Sequence, residues 1–125
     1  MLYLCLGYLD PAKMDARPKS EIEAVMSECP PHLDELYKSG RVLYDAGLSP
    51  EGKSLRRTNG NVTIVDGPFT ETKELIGSAI LIEASGMEEA IRLASLHPAL
   101  QIAAGEQFGW GIEIRPVHYF KGSET

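Results

Sequence analysis

Leu75-Ile76-Gly77-Ser78-Ala79-Ile80-Leu81-Ile82-Glu83-Ala84 is the stretch on which the fold turns. Its density of Ile and Leu fits a strand buried on both faces, which belongs inside a sheet rather than at its edge. On its C-terminal side, Ser85 and Glu88 stand at capping-box spacing. Ala90, Ile91, Leu93 and Ala94 then form an apolar stripe, and His97-Pro98 ends the helix they predict. Ile112 and Ile114 alternate with Glu113 and Arg115 before Pro116, the pattern of a last strand that exits at an edge. On its N-terminal side, Asn59-Gly60 separates Ser54 to Thr58 from Asn61 to Val65, and Asn-Gly is the preferred dipeptide of a two-residue hairpin turn.

Further upstream, Val42, Tyr44, Ala46 and Leu48 alternate with Arg41, Leu43, Asp45 and Gly47, the period of a strand with one better-buried face. Ile22, Val25, Met26, Cys29, Leu33, Leu36 and Tyr37 recur at helical spacing behind Ser20 and Glu23. Pro30-Pro31 should break that helical region, since an interior proline costs about 3 kcal/mol, and Gly40 should stop it. Leu2 to Tyr8 reads as a first strand, closed by Gly7 and Asp10-Pro11.

The order is strand, helix, strand, inserted hairpin, strand, helix, strand. That predicts an α+β fold, a ferredoxin-like βαββαβ with an inserted hairpin. Both helices would cover one face of the sheet, and the other face would need a cover of its own, for which a homodimer is the simplest expectation. At 125 residues the chain has room for one core, expected over residues 1–121, with a flexible tail at 122–125.

Twelve Lys and Arg against eighteen Asp and Glu give a net charge of −6, and the one adjacent basic pair is Arg56-Arg57. Such a balance repels phosphate backbones, so no nucleic-acid partner is expected. Apolar runs such as Ile76 to Ile82 fall far short of the roughly 20 residues that span a bilayer, and Met1 to Tyr8 has no leader pattern. No membrane association and a cytoplasmic location are the expectations. Cys5 and Cys29 belong to no C-x-x-C pair and read as buried thiols, and no histidine pair has metal-ligand spacing. Neither a metal nor a cofactor is expected.

Val65-Asp66-Gly67-Pro68-Phe69-Thr70-Glu71-Thr72-Lys73-Glu74 and the strand after it resemble the signature of the DGPF branch of the YCII-related family. The start Leu2 to Tyr8, Gly47, His97-Pro98 and the ending Glu113 to Val117 resemble that family in order and spacing. The resemblance implies a dimeric α/β-barrel, with a small-molecule ligand held in a cleft near the DGPF turn. It also implies possible roles: lyase-like or proton-transfer chemistry on a small organic substrate, or an accessory part in sigma-factor-linked stress regulation. The histidine that the YCII branch carries in its first strand is missing here, where Tyr3 and Tyr8 stand.

Asp66 offers a carboxylate that Gly67 and Pro68 could hold beside a cleft; the same tripeptide is equally a turn in its own right. His97 could transfer a proton or simply cap the C-terminus of its helix. These two are the candidate catalytic residues. Tyr8, Phe69 and Arg115 are the candidate substrate-binding residues, with Arg115 either orienting an anionic group or pairing with Glu113. Phe108 and Trp110 could wall a cleft or pack the core.

Overall fold

Residues 1–67 and 74–122 are described by a computed structural model. In chain order the elements are β1 (Leu2–Leu9), α1 (Pro11–Asp15), α2 (Lys19–Met26), α3 (Cys29–Lys38), β2 (Val42–Gly47), β3 (Lys53–Thr58), β4 (Asn61–Asp66), β5 (Leu75–Glu83), α4 (Met87–Ala94), α5 (Pro98–Gln101), α6 (Gly105–Phe108) and β6 (Gly111–Pro116).

A four-stranded sheet runs β2-β5-β1-β6 with every pair antiparallel, and β3 and β4 form a second sheet by themselves. The expected ferredoxin-like βαββαβ closed into a dimeric α/β-barrel is therefore corrected. This is a mixed α/β fold with two sheets, and it does not close into a barrel, because the larger sheet ends openly at β2 and β6. Nor does the fold give evidence of a dimer. The helix-free face was expected to need a partner; within the single chain Leu81, which lies on it between Tyr44 and Leu4, is already buried, while Tyr44 stays exposed. Arg115 and Glu113 continue the same rows on β6 and make that edge polar.

On the opposite face, Tyr3 and Cys5 of β1 pair with Ile82 and Ile80 of β5 and meet Leu36 of α3 and Ala90, Leu93 and Ala94 of α4. Period-two alternation in the strands and the apolar stripe of α4 thus converge on one core. A second cluster gathers Val25, Ile102 and the fully buried Phe108, whose ring stands edge-on to Trp110 with centroids 5.3 Å apart.

Local signals explain most boundaries. α2 ends before the proline pair, and α3 starts at Cys29 and holds both prolines in its first turn, where the missing N–H groups cost nothing. Gly40 follows α3 at φ 70°. Asn59 (φ 52°) and Gly60 (φ 81°) are both left-handed, as a type I′ turn demands. The two capping boxes differ from expectation. Ser20 lies inside α2, behind Pro18, and Ser85 bonds Glu89 rather than Glu88, because Gly86 is the N-cap and puts Glu89 at the third helical position. Phe69 and most of the expected tail lie outside the described residues. No helix among the described residues is long and apolar enough to cross a membrane.

Candidate functional site

A row of small residues crosses the sheet at one level: Gly47 on β2 pairs with Ser78 on β5, which pairs with Gly7 on β1. The fit there is close, since a Cβ on Gly7 would sit 2.2 Å from Ser78 Oγ. With so little side chain rising from the floor, the helices above cannot settle onto it, and a cavity of about 470 Å³ remains. Its volume suits a small organic ligand. Leu9, Met14, Met26, Cys29, Leu33 and Trp110 make most of its apolar wall, Tyr8 borders it, and Tyr37, Asp45, Ser78 and His97 are its other polar lining residues.

His97 is the N-cap of α5: its Nδ1 accepts the Ala99 amide N–H at 3.0 Å. The expectation of a cationic ring on the preceding helix C-terminus is thereby reversed in sign, for a helix N-terminus disfavours a cation. With its Nδ1 lone pair committed, the neutral ring carries its proton on Nε2. No hydrogen bond joins Nε2 to another described residue and no buried side-chain nitrogen is left unsatisfied, so Nε2 is not fully buried, and His97 is among the residues that line the cavity. Burial lowers the His97 pKa and the Asp45 carboxylate opposes that shift.

Above about pH 6.5 neither the folded nor the unfolded chain holds a second proton on this ring. As pH falls below that value the unfolded chain is protonated first, so His97 subtracts stability in acid. His97→Asn keeps an acceptor for the Ala99 amide and loses the titration. The melting temperature of the wild type relative to this variant should fall by a few degrees between about pH 8 and about pH 5. A constant difference would mean that folding leaves the ring's affinity for a second proton unchanged.

Asp45 faces the cavity from β2, and Tyr37 of α3 donates its hydroxyl to that carboxylate. The hydrogen bond, with burial and the Asp45 and Asp34 charges behind it, pushes the Tyr37 pKa up to about 12. The phenol therefore stays a donor and fixes one carboxylate oxygen, leaving the other to act. Neither Tyr37 nor Asp45 was a candidate from sequence. Simple alternation put Asp45 on the less buried face, but the register shifts between Val42 and Tyr44, and that irregularity pairs Asp45 with Ile80 on the helix side.

Of the sequence candidates, Tyr8 and His97 meet at this cavity. Tyr8 donates to Glu113 at 3.4 Å; burial, then Glu113 and Glu74, raise its pKa, and Arg115 lowers it. It also borders a neighbouring hollow of about 390 Å³ lined by Glu74, Trp110 and Glu113. Arg115 bonds Glu113 at 3.2 Å on the other face of the sheet. Asp66 ends β4, exposed and ion-paired with Lys53, away from the cavity wall; Gly67 instead borders a separate hollow of about 400 Å³ between the hairpin and β5. Among the described residues no three His, Cys, Asp or Glu gather as a metal site.

The family model for the YCII-related domain matches residues 1–118. An uncharacterized protein of Rhizobium meliloti (strain 1021) is 29% identical over 126 residues, covering 99% of this chain and 98% of its own. Among solved structures, 5-chloro-2-hydroxyhydroquinone dehydrochlorinase from Burkholderia phenoliruptrix AC1100, in complex with 2,5-dihydroxybenzoquinone, is 17% identical. The match covers 96% of both chains with a TM-score of 0.45, and a likeness at that level bears on neither ligand nor chemistry.

Proposed function

This chain belongs to the YCII-related domain family, and on that premise we propose that it is an enzyme that moves a proton on a small organic molecule held in the cavity between the sheet and α3 and α5. The observation that carries the proposal is the pairing of a donor and a base on one apolar wall. His97 presents Nε2–H from a ring whose other nitrogen is occupied, and Asp45 presents a carboxylate oriented by Tyr37.

A neutral imidazole donor facing a carboxylate base suits removal of a proton next to a carbonyl. Asp45 takes the proton from carbon, the electron pair moves towards the substrate oxygen, and His97 Nε2–H holds the charge that develops there. From the resulting enolate, return of the proton gives exchange or isomerisation, and departure of a group from the adjacent carbon gives a lyase-like elimination. We assign the base to Asp45 rather than Asp66 because Asp45 lines the cavity, and Tyr8 to the wall beside the substrate.

Finer placements belong to the same proposal: the DGPF branch, on the contiguous Val65 to Glu74 stretch, one domain over residues 1–121, and a cytoplasmic setting.

Phenylacetone in heavy water tests the reading without a known substrate. Wild-type protein should speed loss of its α-proton signals by NMR at least about a hundredfold over buffer, the usual worth of a positioned base. Exchange at the buffer rate, with phenylacetone still raising the melting temperature, would reduce the site to binding alone.

A further inference from the structure

We infer that the site selects uncharged substrates and turns away organic anions; this rests on the reading above and names the chemical class it takes. Among the described residues lining the cavity, Asp45 is the one formally charged side chain, and neither Lys nor Arg lines it. His97 adds no positive charge, since its Nδ1 holds the Ala99 amide and its ring is neutral. A carboxylate or phosphate entering this wall would lose water and gain no cation in return, and it would meet Asp45 at short range.

The neighbouring hollow, which shares Tyr8 and Trp110 with the cavity, is likewise lined by no Lys or Arg among the described residues, and its Glu113 is bonded to Arg115. Arg115, the residue expected to orient an anionic group, is bonded to Glu113 and lies on the far face of the sheet. The whole chain carries −6. A cation fits less well than a neutral molecule for a different reason: an ammonium paired with Asp45 would quench the basicity the reaction needs, and His97 Nε2–H requires an acceptor. An uncharged molecule with a carbonyl or hydroxyl oxygen satisfies both groups.

Benzyl alcohol, benzoate and benzylamine are close in size and differ in charge, so ligand-observed NMR titrations at neutral pH separate the cases. Benzyl alcohol should bind at least about ten times more tightly than benzoate, the scale set by one like charge at short range. Asp45→Asn should narrow that ratio by weakening the exclusion of benzoate. Equal binding of benzyl alcohol and benzoate, or a ratio that Asp45→Asn leaves unchanged, overturns the charge selection and leaves the proton-transfer reading standing. Benzylamine as the tightest of the three overturns it in favour of amines. Binding of none of the three at millimolar concentration removes the ligand site, and both readings with it.

Discussion

Asp45→Asn is expected to slow α-proton exchange in phenylacetone by about a hundred- to ten-thousand-fold, the span that loss of a general base produces. The amide keeps the shape of the carboxylate and can still accept from the Tyr37 hydroxyl, so melting should change little. What disappears is the lone pair that takes the proton. Asp66→Asn is the paired control: it removes a carboxylate from the end of β4, exposed and bound to Lys53, and should leave exchange as it was. The opposite pattern, with Asp66→Asn inactive and Asp45→Asn unaffected, would move the chemistry to the end of β4 and refute the assignment of the base to Asp45.

Phe108→Ala is expected to cost about 3–5 kcal/mol, the range found when a fully buried aromatic ring is cut back to a methyl group. Phe108 is 0% exposed and stands at the centre of the cluster with Val25 and Ile102. The backbone around it has little freedom to collapse into the void. Gly109 follows at φ 71°, a Cβ there would come within 2.8 Å of Asp10 Cβ, and the Phe108 carbonyl accepts from the Asp10 amide. Asp10 in turn caps α1 through the amides of Ala12 and Lys13. In urea the midpoint should fall by roughly 2 M with the slope unchanged. A loss under about 1 kcal/mol would mean that this cluster contributes little to the stability of the chain. Because the Phe108 ring meets Trp110 edge-on, the same variant should loosen the cavity wall and weaken ligand binding.

Much of the secondary structure was legible because its causes are local. Apolar alternation marked the strands, Asn59-Gly60 the hairpin and Pro30-Pro31 the break between α2 and α3. α1, α5 and α6 escaped because runs of four or five residues carry too few turns for a period to show. The barrel came from resemblance, and the open ends of the sheet override it; the dimer was read from the helix-free face as well as from the resemblance, and the fold gives no evidence of one. At the site, His97 and Tyr8 could be nominated from residue type, whereas Asp45 could not. Its direction depends on a register shift that leaves no mark in the alternation of Val42, Tyr44 and Ala46. Tyr37 read as one more apolar position on a helix, and its role became visible only where α3 crosses β2.

The hairpin of β3 and β4 pairs with no strand of the larger sheet, and Leu55, Val62 and Ile64 are exposed on it. It is thus an appendage that inheritance can edit cheaply. Relatives can lengthen it, shorten it or trade its residues while the two cores and the cavity floor keep their shape, so comparisons across species should find variation there and constancy along the row of Gly7, Ser78 and Gly47.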